Sequence, residues 1–459
     1  MQETKRLVQK CFDIDFDRLP EAVVDRTLYL ILDYLGVAAR GALSDSSQCV
    51  RRFIRAVDPG GGGAVIIGTS EKAGPPYAAI ANGSGAHSLE LDDVVNASSL
   101  HPAVTVITAA LSAAQMTRCS GREFIAAVVA GYEVTNRLGI ALDPAAHYAQ
   151  GFHPTATCGT MGSAVAAAKI LGLDQHQMTQ ALGIAGSQAA GSMEFLTDGS
   201  FTKRLHGGWA AHSGIVAALL AREGFTGPDT ILEGRFGFLH AYSPQSNPDR
   251  ILAGWGAPYQ ILRTSIKPHA CCRYKQGPID GILQIVAGHG IEATDVRRIS
   301  IGVLKAGFAL VAEPREAKLA PQTVVDAQFS MPFGAAMAVL FGRAGLDEYC
   351  LENIGDPRVK EMMAKVECVQ DPELEKDFPE KWPASVAIET RDGRTLATRI
   401  DHPKGDPENP LTWEDIIDKF NALTAPVYGP DRAVAIVAAI RSLARQEEIR
   451  PCLALLAAE

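Results

Sequence analysis

Apolar residues recur at helical spacing through the first half of the chain. Ala22–Ala38 (AVVDRTLYLILDYLGVA) is a plain example, ending against Arg40–Gly41. Stretches rich in small residues follow: Val104–Met116, Gly121–Leu138, Gly159–Leu171, Gln175–Gly191 and Gly207–Glu223. Gly and Ala at helical spacing let backbones approach, so these predict tightly packed helices. Gly60–Gly63 followed by AVIIG reads as a short strand pair or turn, without the GxGxxG spacing of a dinucleotide loop. The pattern changes near residue 266. Val296–Leu304 alternates as a half-buried strand, and Ser385–Ile388 with Thr395–Ile400 around Arg391–Asp392–Gly393 reads as a β-hairpin. Pro332–Phe341 and Leu351–Val366 read as helices. Thr412, with Asp415 three residues on, predicts a capped helix, and residues 430–459 return to helix. The expected fold is mainly α. A large all-helical domain is made of both chain ends (1–266 and 405–459), and a smaller α+β lid domain (267–404) is inserted. The cleft between them is the expected ligand site.

Composition narrows this picture. At 459 residues the chain exceeds one ordinary core, and 47% apolar with 21% charged residues is a globular balance. A net charge of −9 argues against nucleic acid as a partner, while leaving room for a local basic cluster that binds a small anion. The nine cysteines are scattered with no CxxC pair, and adjacent Cys271 and Cys272 are not expected to bridge. This is the usage of a reducing compartment. The start MQETKRLVQK leads into no apolar signal core, and no apolar run reaches the roughly 18 residues of a membrane span. A cytoplasmic protein with no membrane partner is expected.

Four polar clusters interrupt the apolar helices. Ala86–Pro102 (AHSLELDDVVNASSLHP) holds His87, His101, Glu90, Asp92 and Asp93. GFHPTATCGTMGSA puts His153 in a proline turn before a glycine-rich helix. SFTKRLHGGWAAHSG puts Lys203, Arg204 and His206 just before a helix expected to start near Gly207. SIKPHACCRYKQ puts Lys267, His269, Arg273 and Lys275 at the domain junction. Imidazoles titrate near neutrality and suit proton transfer. Lysines and helix N–H groups can hold carboxylates and stabilise negative charge developing at carbon. His87, His206 and His212 read first as structural residues, and Asp92 and Asp93 as caps or ion-pair partners. No zinc template, HExxH, GxSxG elbow or GxxxxGK[ST] loop occurs, so no metal is expected and the usual serine hydrolase and P-loop readings fall away. Residues alone reach a cleft enzyme for a small anion.

The motifs NGSGAHSLELDD…HP, GFHPTATCGTMGSAVAAAKILGL, FTKRLHGGWAAHSGIVAALLAREGFTGPDTILEG, KPHACCRY…ID, FSMPFG and GDPENPLTWEDIIDKF, in this order, resemble the MmgE/PrpD family. That family includes 2-methylcitrate dehydratase, cis-aconitate decarboxylase and iminodisuccinate epimerase. The resemblance implies a helical domain with an inserted lid, a homodimer, and catalysis by His101, His153, Lys203 and Lys267. Glu90 and Asp92 are then expected to orient an imidazole, with Arg204, His206, Cys272 and Arg273 near the substrate. The chain also departs from the decarboxylase pattern. D-F-D-D-T reads Glu90-Leu91-Asp92-Asp93-Val94, two family histidines are replaced by Cys272 and Gln276, and a tyrosine is replaced by Phe333. The resemblance implies a cofactor-independent lyase acting on a small di- or tricarboxylate by proton abstraction at carbon. A dehydratase of the 2-methylcitrate type leads, with a dicarboxylate epimerase or a cis-aconitate-type decarboxylase as alternatives, and a non-catalytic carboxylate binder last.

Overall fold

The computed structural model describes residues 2–378 and 381–458, and helices dominate them, with small sheets only. The chain divides into two units: Met1–Ser88 with Asp92–Thr264 and Thr412–Glu459, and Ser265–Leu411 with Leu89–Leu91.

The first unit is helical. Glu21–Gly41, Pro75–Ala86, Ala103–Ala114, Gly121–Leu142, Pro154–Ile170, Gln175–Gly186 and Thr202–Arg222 are its main helices, and Ala64–Val65 pairs antiparallel with Lys72–Ala73. Its small residues are contact points. A Cβ on Gly208 would lie 2.2 Å from the Ile80 carbonyl oxygen, so the helices Pro75–Ala86 and Thr202–Arg222 meet backbone to backbone. This corrects the expected start at Gly207. The glycine pair belongs to a helix crossing rather than a helix start, and Thr202–Arg222 therefore already contains Lys203, Arg204 and His206.

Gly121–Leu142 is the longest helix of this unit. It is long and apolar enough to cross a membrane, and 94% of its apolar window is buried inside the protein. Its one internal ion pair, Glu133 with Arg137 at 2.6 Å, is buried, and the Arg137 guanidinium also donates to the carbonyls of Ile251 and Ala253. Its second terminal nitrogen donates to the Gly254 carbonyl, so every guanidinium nitrogen meets an acceptor. The C-terminal stretch rejoins this unit. Thr412 and Asp415 form a reciprocal capping box on Trp413–Thr424, and that helix brings Lys419 to 2.6 Å from the buried Asp33.

The second unit carries a four-stranded sheet. In spatial order its strands are Val366–Gln370, Val296–Val303, Ala384–Thr390 and Thr395–Ile400. The first pair is parallel and the other two pairings are antiparallel. A parallel pair needs a long crossover, and the helices between Lys305 and Ala364 provide it. Helix Gln276–His289 lays Gly281 against Val386 and Thr398 of the hairpin. The expected helix Leu351–Val366 is instead two, Leu351–Gly355 and Pro357–Ala364, with Val366 opening a strand. Pro357 has no N–H to continue a helix, and the Asp356 carboxylate caps the new start by accepting from the Arg358 N–H at 2.7 Å.

Candidate active site

Four helix ends in the first unit bring four imidazoles together. His87 is the C-cap of Pro75–Ala86, and His101 stands just before Pro102, the N-cap of Ala103–Ala114. His153 is the N-cap of Pro154–Ile170, with proline at the first helical position, where its missing N–H costs nothing. His206 lies one turn into Thr202–Arg222. Ring centroids are 5.3 Å apart for His87–His101, 5.7 Å for His87–His153 and 5.1 Å for His153–His206. Phe195 packs edge-on against both His153 and His206.

The hydrogen bonds assign protons. His101 Nδ1 is 2.5 Å from the Asp93 carbonyl and 3.2 Å from Asp92 Oδ2. A carbonyl only accepts, so Nδ1 carries the hydrogen and Nε2 of the neutral ring is the proton acceptor. Its backbone N–H is fixed by Thr155 Oγ1 at 3.2 Å. Asp92 Oδ2 also accepts from His87 Nδ1 at 2.7 Å. Asp93 caps helix Ala103–Ala114 by accepting from the Ala103 N–H, and it accepts from the Tyr132 hydroxyl at 2.8 Å. Burial outweighs both bonds and pushes its carboxyl up to about 8.

His153 and His206 share one proton, because their Nδ1 atoms face each other at 3.0 Å. One ring donates there and the other must be bare. Burial first, then the neighbouring His87, His206, Lys203 and His101, hold His153 well below the usual imidazole range. Burial, His87 and Lys203 push His206 down to about 4. The pair is neutral at pH 7. Lys203 is half-buried and acts on both rings electrostatically. Arg204 sits over the Phe201 ring and 3.4 Å from Ser46 Oγ.

His87, read from the sequence as structural, belongs to this group. Its side chain is fully buried, and its Nε2 has no hydrogen-bond partner among the described residues. The signal was its place five residues before Asp92 on the same turn of chain.

In the second unit the predicted residues are differently engaged. Glu90 adopts a left-handed backbone, φ 56°. Lys267 is buried, and the Cys271 thiol feels its charge. Burial pushes the Cys272 thiol up to about 11. Arg273 forms a bidentate ion pair with Asp406 at 2.6 and 2.7 Å and lies over the Trp382 ring. His269 Nε2 meets Asp280 Oδ1 at 2.9 Å. Lys275 is fully buried, donating to the carbonyls of Ala327 and Gln328, and burial pushes it down to about 8. His402, Asp406 and Glu408 place donor atoms within 4.8 Å of one another, a spacing that could hold a cation, but the Asp406 carboxylate already carries Arg273.

Residues 5–251 match the MmgE/PrpD N-terminal domain, and residues 269–445 match the MmgE/PrpD C-terminal domain. The chain belongs to the MmgE/PrpD family. Similar relatives include a cis-aconitate decarboxylase-like protein of Aspergillus oryzae, 28% identical over 96% of this chain and 94% of the relative. The human cis-aconitate decarboxylase is 28% identical over 95% of this chain and 89% of its own length. A 2-methylcitrate dehydratase of Cupriavidus necator is 23% identical over 62% of this chain and 61% of its own.

This MmgE/PrpD chain has built its departures into the fold. Gln276 clamps the loop before it: Nε2 donates to the carbonyls of His269 and Cys271 at 3.0 and 3.2 Å, and Oε1 accepts from the His269 N–H. A histidine could not serve all three partners, since its two ring nitrogens cannot supply that set. Phe333 is fully buried and packs against Tyr349, and Val94 is buried. None of the three brings a titratable group.

Proposed function

We propose that this MmgE/PrpD protein is a lyase that acts on a small di- or tricarboxylate by moving a proton at carbon, without a cofactor. One observation carries the reading: His101 is locked with Nδ1 as donor to the Asp93 carbonyl, which makes Nε2 the base. Asp92, 3.2 Å away, stabilises the imidazolium that forms. Lys203 offsets the charge of a substrate carboxylate. In the pair His153–His206, the ring whose Nδ1 accepts carries its hydrogen on Nε2, and that N–H is a hydrogen-bond donor the pair can offer the substrate.

In the dehydrating direction the carbon loses its proton to His101, the C–O bond breaks, and the hydroxyl leaves as water with that proton handed on by the His101 imidazolium, while the histidine pair orients the hydroxyl by hydrogen bonding. Val94 and Cys272, where the decarboxylase pattern has a hydroxyl and an imidazole, favour this hydro-lyase reading. Decarboxylation is the second reading, favoured by full-length similarity to proteins named cis-aconitate decarboxylase. There the carbon that loses carbon dioxide gains a proton from protonated His101. Proton NMR in deuterium oxide, with 2-methylcitrate, citrate and cis-aconitate supplied in turn, separates the two. Alkene signals from a hydroxy acid support dehydration, and loss of carbon dioxide from cis-aconitate supports decarboxylation. Deuterium exchange alone would mark an epimerase, and an unchanged spectrum for every acid would sink the lyase reading.

A further inference from the structure

Asp92 is the only carboxylate shown within ion-pair distance of two of the clustered imidazoles among the described residues. Its Oδ2 lies 2.7 Å from His87 Nδ1 and 3.2 Å from His101 Nδ1. An ionised carboxylate only accepts, so His87 must present Nδ1–H to it. The His87 ring cannot relax away. It is fully buried, stacked on His153 at an interplanar angle of 16°, and tilted against His101. Its other nitrogen has no partner among the described residues, so the Asp92 bond is what orients the ring.

We propose that His87 is a positioning residue that sets the basicity of His101 by sharing the charge of Asp92; this rests on the reading of His101 as the base. The physical chain is short. Each hydrogen bond donated to a carboxylate spreads its negative charge and weakens its hold on any other partner. With His87 in place, Asp92 stabilises the His101 imidazolium less than a carboxylate with a single partner would. His101 is therefore kept nearer to neutrality, where it can take a proton and give it back. Any positive charge on His87 would act in the same direction, by repulsion. The other charged and titratable groups acting here are Asp33, Asp93, Arg26 and Tyr132 around the carboxylates, and His153, His206 and Lys203 around the imidazoles. None of them is removed by substitution at residue 87.

The test uses the full chain with isotope-labelled histidine and follows the His101 ring by NMR through a pH titration, the signal being assigned by its loss in His101→Asn. In His87→Phe, which keeps a flat ring and removes the donor, the His101 midpoint rises by about one unit. In His87→Asn, whose amide N–H takes the place of Nδ1–H, the midpoint stays within about 0.3 units of the parent. Asp92→Asn, which removes the shared charge, lowers it, and this variant decides the matter if His87→Phe fails to fold. With an active substrate, the acid limb of the kcat/KM profile moves in the same directions. An unchanged midpoint in His87→Phe, equal shifts in His87→Phe and His87→Asn, or no fall in Asp92→Asn would each overturn the proposal. The reading of His101 as base fails on a different result, full turnover in His101→Asn.

Discussion

His101 and His269 each have an aspartate within ion-pair distance, and they end in opposite chemical states. His101 gives Nδ1 to a backbone carbonyl with Asp92 beside it, and keeps Nε2 for proton traffic. His269 commits Nε2 to Asp280, in a loop that Gln276 holds by three hydrogen bonds. The same contrast runs through their surroundings. In the helical unit four imidazoles cluster, and two of them, His153 and His206, face each other across a shared proton. In the sheet-bearing unit Arg273 is matched by Asp406 and Lys275 by two carbonyls, so these charges hold the fold. Residue type alone does not separate the two cases; the partner of each nitrogen does.

The widest test of this contrast is catalytic. His101→Ala should lower turnover by about a thousandfold or more while the melting temperature stays close to the parent's. A variant that unfolded instead would move His101 to the structural side of the comparison. Asp406→Ala should do the opposite, costing about 3–5 kcal/mol of stability in denaturant titration, because Arg273 is left as a buried charge without its partner. The double variant Arg273→Met/Asp406→Leu should return to within about 1 kcal/mol of the parent. If it regains stability but loses turnover, Arg273 also serves the substrate.

A smaller effect is expected at the helix crossing. Gly208→Ala puts a methyl 2.2 Å from the Ile80 carbonyl oxygen and should cost about 2–3 kcal/mol, read as a lower urea midpoint. Least is expected from pH. The His206 ring titrates at about 4 in the fold against an ordinary 6.5. Between those values the unfolded chain binds a proton that the folded one does not, so stability is full above pH 6.5 and falls as pH drops towards 4. His206→Asn should flatten that decline by about 1–2 kcal/mol between pH 7 and pH 4.5. An unchanged slope would mean that the pair with His153 is protonated without strain.

The sequence was legible where local chemistry decides. The Thr412–Asp415 cap, the hairpin around Arg391–Asp392–Gly393 and the strand expected at Val296–Leu304 all depend on neighbours a few residues apart and stand in the structure, although the strand's alternation is broken by an irregularity between Val296 and Arg298. It misled where a residue answers to a distant partner. Gly207 and Gly208 looked like a helix start because their purpose, the close approach of Pro75–Ala86, lies over a hundred positions away in the chain. Leu351–Val366 looked continuous although Pro357 divides it, a signal that was local and was outweighed by the apolar spacing. The four polar clusters were visible as composition. That His153 and His206 share a proton was not, since their contact spans 53 residues and depends on two separate helices.

The pairing of Asp33 with Lys419 has a consequence in time as well as space. Synthesis delivers Asp33 early, and its partner only after the whole of Ser265–Leu411 has been made. Asp25 with Trp413, and Gly68 with Tyr428, wait in the same way. The four-stranded sheet of the inserted segment is built wholly from its own strands, so its pairing does not wait for the closing helices. Contacts of such long separation are slow to form, and their loop entropy is met before they stabilise anything. The helical unit that holds the histidines is therefore the first begun and the last completed.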